Sequence, residues 1–263
     1  MTSRHFGSLT AGMEILERLA LAPDGVSVSE LSRDLGLDKG HAHRLLRVLE
    51  DRSYVQQDPA SKLFSATAQV IALAGRVLRH LDIMNAAPSV MRELLAASGE
   101  SVHLARRVPS GGVYVAQERP PARISVETQI GSAPELHCTA TGKALIAFTE
   151  ESEWRPLLPK SLIRYTQTTQ TTLTALRRDL VETRLRGYAV DDQELSLEVR
   201  CVAAPIFDFM GKPVGCIGLS GPISRMELSR IPVLGVLVAG GAAEITQRLG
   251  GRPTEVTLVT TGG

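Results

Sequence analysis

Ser27-Val28-Ser29-Glu30-Leu31-Ser32-Arg33-Asp34-Leu35-Gly36-Leu37-Asp38-Lys39-Gly40-His41-Ala42-His43-Arg44-Leu45-Leu46-Arg47-Val48-Leu49-Glu50 reads as two short helices meeting at a glycine corner. Ser27 is placed as an N-cap, and Glu30 three residues later completes a capping box in which each side chain takes up the other's main-chain N–H. Val28, Leu31 and Leu35 form that helix's apolar stripe, and Gly36 ends it. Leu37 fills the corner, and Asp38 caps the next helix, expected through Ser53 with Ala42, Leu45, Leu46 and Leu49 facing inward. Gly40, His43, Arg44 and Arg47 recur at i, i+3, i+4 and i+7 on the opposite, donor-rich face.

Working outward, Leu9, Met13, Leu16 and Leu19 predict a first helix with a single buried stripe, ending at the turn Ala22-Pro23-Asp24-Gly25. Downstream, Tyr54–Gln57 and Leu63–Ser65 flank the turn-forming Asp58-Pro59-Ala60-Ser61-Lys62, which predicts a small hairpin, or wing. Residues 1–66 therefore read as a winged helix-turn-helix. Val70, Leu73, Ala74, Val77, Leu78 and Leu81 then set a helical seam that predicts a linker helix over residues 67–82. Residues 83–250 mix both periodicities, with strands expected at Ser101–Val108, Val113–Glu118, Arg123–Ile130, Tyr188–Asp191, Val199–Phe207 and Pro213–Ser220. Helices are expected near Ala86–Ser98, Thr141–Phe148, Glu151–Leu158, Leu173–Arg186 and Leu228–Leu249, giving an α+β class. Residues 251–263 have no periodic pattern and are expected to be a disordered tail.

A helix in the major groove reads base edges near its N-terminus, while cations along it hold phosphates. The expected DNA-contacting set is Ser27, Lys39, Gly40, His41 and His43, with Arg44 and Arg47 as phosphate anchors and Lys62 in the wing. A solvated helix face is the plain alternative for two arginines on one helix; the capped start, glycine corner and wing favour double-stranded DNA. Charge adds a constraint: the chain's formal net charge is +1, and residues 1–66 hold eight Lys and Arg against nine Asp and Glu. A reading head so poor in excess cations needs a second head for useful affinity, so self-association is expected.

With 43% hydrophobic and 22% charged residues the composition is that of a globular protein with ample core material. Glu14, Glu17 and Arg18 interrupt the first apolar stretch, so no signal peptide is expected and the location is expected to be cytoplasmic. Ile231–Ala243, with Pro232 and several glycines, is too short for a membrane span and is expected to be a buried helix. Cys138, Cys201 and Cys216 form no CxxC pair, so neither a disulfide framework, a metal nor another cofactor is expected. An enzyme would need Cys138 or Cys201 as nucleophile with His103 or His137 as base, or a zinc among these groups, yet no nucleophile signature or ligand pair at helical spacing supports either. Lys143 reads as a solvated surface lysine, and Thr141, Cys201 and Ser220, taken singly, as a cap, a small core residue and a turn former.

His43-Arg44-Leu45-Leu46-Arg47-Val48-Leu49-Glu50 followed by Tyr54-Val55 resembles the reading head of the IclR family of bacterial transcription regulators. In the family's order there follow Gly131-Ser132, Leu136-His137-Cys138-Thr139-Ala140-Thr141-Gly142-Lys143-Ala144, Arg186-Gly187-Tyr188-Ala189-Val190-Asp191-Asp192, Val199-Arg200-Cys201-Val202-Ala203-Ala204-Pro205-Ile206 and Leu219-Ser220-Gly221-Pro222. The resemblance runs from about Leu9 to Leu249. It implies a dimerising winged helix-turn-helix, a linker helix, and a GAF-like effector-binding domain through which members commonly form tetramers.

The same resemblance implies that a small organic acid controls DNA binding from a pocket formed by Ala140, Thr141, Asp191, Cys201, Gly218 and Ser220. Main-chain N–H groups at the start of the helix near Thr141 favour an anion, and the hydroxyls of Thr141 and Ser220 suit a carboxylate. Three positions depart from the family pattern. Gly40 stands where a small hydroxyl residue is more common, and Gly218 where binders of short keto acids carry serine, which tilts the expectation towards a bulkier, aromatic acid. Glu198 stands where glycine is common and sets a second negative charge near Asp191 in sequence.

Overall fold

The computed structural model describes residues 7–78, 82–121 and 125–252, side chains 74–78 excepted, and the chain divides into two units, Met1–His80 and Leu81–Gly263. In the first, α1 (Ser8–Ala20), α2 (Val28–Leu35) and α3 (Lys39–Asp51) enclose a core of Ile15, Leu19, Val26, Leu31, Leu46, Val55 and Phe64. Both halves of the capping box form: Glu30 N–H donates to Ser27 Oγ at 3.2 Å, and Ser27 N–H donates to the Glu30 carboxylate at 2.9 Å. Gly36 closes α2 in the left-handed region at φ 66°, and Asp38 accepts the His41 N–H at 3.0 Å to open α3. Arg52 caps α3, and Ser53, itself left-handed at φ 61°, turns the chain into the wing, so the helix stops two residues short of its expected end.

The stripe expected on α1 is corrected. Ala11, Ile15 and Leu19 are the buried row, whereas Leu9 is 81% and Met13 51% exposed. This helix carries two apolar rows, and its packing on α2, α3 and the wing selects one of them, a choice periodicity alone leaves open. The wing is β1 (Val55–Gln57) paired antiparallel with β2 (Phe64–Ala66), and Val26 adds a bridge by exchanging both main-chain hydrogen bonds with Phe64. Helix α4 (Gln69–Leu78) occupies most of the expected linker, whose residues 79–81 lie outside the described residues.

The second unit is a five-stranded antiparallel sheet in the order β4-β3-β7-β6-β5, made of β3 (Ser101–Val108), β4 (Gly111–Glu118), β5 (Ala189–Asp192), β6 (Val199–Phe207) and β7 (Pro213–Pro222). Helix α5 (Ile83–Ala86), α6 (Pro88–Ser98) and α10 (Ile231–Arg248) cover one face, where Val90, Leu94, Leu234 and Val238 join Val102, Leu104, Val202 and Ile217 in the main core. By length and composition the helix over Leu228–Arg248 could cross a membrane, but here its inner row packs on the sheet, and each buried leucine or valine there is worth roughly 1.5–3 kcal/mol. The opposite face carries Ala105, Ala203, Cys216 and Ala189, small side chains over which α7 (Ala140–Ala147) lies with every residue buried. Behind it, α8 (Glu151–Trp154) and α9 (Leu173–Arg186) pack around Trp154, Leu176 and Leu180.

Two expected elements change. Glu151–Leu158 becomes α8 plus a 3-10 turn at Arg155–Leu157, because Pro156 lacks the N–H that would continue an α-helix. No strand forms over 125–130 of the expected Arg123–Ile130 segment, whose residues 122–124 lie outside the described residues. The Gln117 side-chain amide instead donates to Val126 O and accepts from Thr128 N, while Tyr114 exchanges main-chain bonds with Gly131 and Ser132. These contacts with the edge strand β4 satisfy the segment without a ladder. The tail expected at 251–263 lies outside the described residues from 253 onward.

Candidate functional site

Sheet register builds the floor of the candidate site. Asp191 in β5 pairs with Cys201 in β6, Cys201 with Ser220 in β7, and Ser220 with Ser101 in β3, so four polar side chains from separated parts of the sequence form one cross-strand row. Above it stands the N-terminus of α7. Thr139 caps that helix by accepting the Gly142 N–H at 2.8 Å, and the N–H groups of Ala140 and Thr141 precede the first intrahelical bond, from Lys143 N to Thr139 O. Gly142 is required here: a Cβ at this position would lie 2.3 Å from Glu135 O and 2.5 Å from Leu136 Cα. The absence of that Cβ lets the helix start approach the chain that forms the cavity wall.

Floor and helix border a cavity of about 370 Å³ that Ala140, Thr141, Asp191, Cys201 and Ser220 all line. This is a size suited to a small ligand. Larger depressions of about 570 and 750 Å³ are more open surface grooves flanked by α8. Gly218 does not line the cavity; a Cβ there would press on Val202 O at 3.0 Å and Ala203 Cβ at 3.1 Å, so the missing side chain leaves no spare volume for a bulkier ligand. Glu198 is exposed and absent from the lining, although its neighbour Val199 lines the cavity. Tyr114, Leu195, Ser196 and much of the segment from Val126 to Glu135 also form the wall, and no local sequence pattern distinguished them from ordinary strand and loop residues.

The electrostatics are acidic. Among the described residues Asp191, Glu127 and Glu135 line the cavity and no lysine or arginine does. Burial pushes the Asp191 carboxyl up to about 6 against the opposing effect of the Glu194 main-chain N–H, which donates to Oδ1 at 2.8 Å. Burial likewise raises Tyr114, which shares a hydrogen bond with Thr141, and all three cysteine thiols. A thiol held protonated is a poor nucleophile. Among the described residues no group of three or more His, Cys, Asp or Glu is arranged to hold a metal ion.

Lys143 is not a surface residue. It is fully buried, with Nζ 2.6 Å from Asp179 and 2.5 Å from Glu194, and these carboxylates outweigh burial, which alone would lower it, to hold the ammonium above its ordinary pKa. His103 is also buried, opposite Gly218 and two positions along the register from the polar row. Both its ring nitrogens lack a hydrogen-bond partner among the described residues, its ring meets Tyr114 edge-on at 6.0 Å, and burial lowers it to about 4.

On the first unit, Lys39, Gly40, His43 and Arg44 are exposed along α3 and His41 is half-buried. Ser27 is engaged in the capping box. Arg47 is drawn to the wing: it pairs with Glu50, donates to Gln57 Oε1 at 3.3 Å and lies 6.0 Å over the Phe64 ring. Lys62 sits in the wing turn at φ 60°, its carbonyl accepting from the Gln57 side chain at 3.0 Å.

Both units match the same family of known proteins. Residues 8–59 match the family described as "IclR helix-turn-helix domain", and residues 75–247 the family described as "Bacterial transcriptional regulator IclR C-terminal". The chain is 32% identical over 247 residues to "Transcriptional repressor IclR" of Escherichia coli (strain K12), covering 93% of this chain and 90% of that protein. It is 32% identical over 244 residues to "HTH-type transcriptional repressor AllR" of the same strain, covering 92% and 90%. The crystal structure of the Agobacterium tumefaciens repressor BlcR superimposes with a TM-score of 0.76 at 26% identity, covering 95% of this chain and 100% of that one. The chain belongs to the IclR family of bacterial transcriptional regulators.

Proposed function

We propose that this chain is a cytoplasmic repressor whose hold on double-stranded DNA is controlled by a small organic acid bound in the second unit. Residues 1–66 read DNA, 67–82 link, and 83–250 sense. The observation that carries the effector reading is the row Asp191–Cys201–Ser220 set beneath the N-terminus of α7, with all three side chains lining one cavity. In this reading the N–H groups of Ala140 and Thr141 and the hydroxyls of Thr141 and Ser220 hold the carboxylate. In this reading Asp191, its carboxyl raised by burial, serves the acid by carrying a proton or by accepting from a hydroxyl on it. Repression accords with the names of the IclR and AllR relatives.

The DNA reading rests on the exposed α3 face, with Lys39, Gly40, His41 and His43 towards bases, Arg44 on phosphate, Arg47 bracing the wing, and Ser27 and Lys62 at the flanks. Self-association to a dimer, and from it a tetramer, is supported by the apolar surface the first unit leaves uncovered: Leu9, Met13, Ile71 and Leu73 are all about half or more exposed.

The test is thermal unfolding of the full chain against glyoxylate, pyruvate, benzoate and 4-hydroxybenzoate, followed by gel-shift titration on duplexes it enriches from a random pool. A concentration-dependent rise in Tm with one acid, accompanied by a change in DNA affinity, is expected. No shift with any member would overturn the carboxylate reading and leave the DNA reading standing.

A further inference from the structure

The buried lysine of α7 grips the turn that follows β5. Lys143 Nζ donates to Glu194 Oε1 at 2.5 Å on one side and to Asp179 Oδ2 of α9 at 2.6 Å on the other. The main-chain N–H of Glu194 in turn donates to Asp191 Oδ1 at 2.8 Å. From outside, the hydroxyls of Thr166 and Thr168 donate to Gln193 O at 2.7 and 2.8 Å, and that of Thr169 donates to Glu194 O at 2.6 Å. Gln193 is held in the left-handed region at φ 60°, a conformation that persists in a non-glycine residue only when its surroundings impose it. Leu195 and Ser196, which follow Glu194, line the cavity.

Burying an ammonium and two carboxylates is a poor route to stability, since desolvation consumes most of the attraction and apolar residues of similar volume do as well or better. What the ion pairs supply is a fixed position. We infer that Lys143 is a positioning residue of the effector pocket: through Glu194 it pins the Gln193–Ser196 rim and the Asp191 carboxyl to α7, whose first turn faces the same cavity. The helix start, the rim and Asp191 then form one rigid frame, and truncating Lys143 or Glu194 frees the rim while the sheet stays closed. This inference rests on the effector-pocket reading above, but its test needs no effector.

Peptide-resolved hydrogen–deuterium exchange on the full-length protein compares wild type with Lys143→Met, Glu194→Ala and Glu194→Gln. The amides of residues 193–197 are expected to exchange at least tenfold faster in Lys143→Met and in Glu194→Ala, with β6 and β7 unchanged. Glu194→Gln, which keeps the Oε1 acceptor for Lys143, is expected to restore most of the protection, which a purely global role would not give. If Lys143→Met does not fold, Glu194→Ala, which leaves the Lys143–Asp179 pair intact, carries the test. Wild-type exchange at 193–197 in Glu194→Ala, or an equal rise through β6 and β7, overturns the inference. Failure of every acid in the thermal panel leaves this result untouched, so the two readings fail separately.

Discussion

Asp191 stands directly opposite Cys201 in the β5–β6 register, and among the described residues no lysine or arginine lines the cavity that both face. Burial holds the Asp191 carboxyl above its ordinary value against the opposing pull of Lys143, so the second unit loses stability as pH rises.

Asp191 titrates at about 6 in the fold, above its ordinary 3.8. A raised carboxyl contributes stability that is complete below the unfolded value and is lost as pH rises through the folded value, here between about 4 and 6. Asp191→Asn keeps an oxygen for the Glu194 N–H and removes the charge. It is expected to be more stable than wild type at pH 8, by up to about 3 kcal/mol, and to gain nothing at pH 4. Denaturant unfolding at both pH values checks this, and a difference independent of pH would refute it.

His103 gives the opposite limb. Its folded value of about 4 lies below the ordinary 6.5, so its contribution is complete above pH 6.5 and is lost as pH falls towards 4. His103→Phe retains an aromatic ring beside Tyr114 and removes two unpartnered nitrogens. The variant is expected to flatten the acid limb by roughly 3 kcal/mol between pH 7 and 4. Parallel stability curves for the two proteins would contradict the assignment.

On DNA, Arg44 and Arg47 are expected to separate. Arg44→Ala should reduce the slope of log K against log salt by about 1 with little change in sequence preference. Arg47, tied to Glu50 and Gln57, should cost less slope and more wing order. His43→Ala is expected to alter preference among sequences more than overall affinity. Titrations at several salt concentrations decide, and equal slopes for both arginine variants would count against the division.

Ser27→Ala removes the cap of α2 and is expected to cost about 1 kcal/mol of stability in the first unit. If Ser27 acts only as a cap, the salt slope of DNA binding stays at the wild-type value; a fall in slope would place its hydroxyl on the nucleic acid.

Gly142→Ala is expected to unsettle the second unit by more than about 3 kcal/mol, because a Cβ 2.3 Å from Glu135 O forces the start of α7 off its seat. Melting of the full chain checks it; a Tm within two or three degrees of wild type would show that the helix start can shift.

Much of this protein is local physics written along the chain. The capping box at Ser27, the glycine corner at Gly36, the Asp38 cap and the 3.6-residue rows of α2 and α3 each depend on neighbours within four residues, so the sequence determines the helix-turn-helix by itself. Strand identity in β3, β6 and β7 was legible for the same reason. Which of two apolar rows on α1 goes inside was decided by packing, since Ala11, Ile15 and Leu19 are no more periodic than Leu9 and Met13. The site was decided almost wholly by the tertiary structure. Asp191, Cys201 and Ser220 meet because antiparallel register puts them in one row, Lys143 is buried because Asp179 and Glu194 converge on it from α9 and the turn after β5, and a side chain at Gly218 would press on Val202 and Ala203. These are pairings between residues ten to fifty positions apart, and their energies depend on burial and distance, quantities that exist only once the chain has closed on itself.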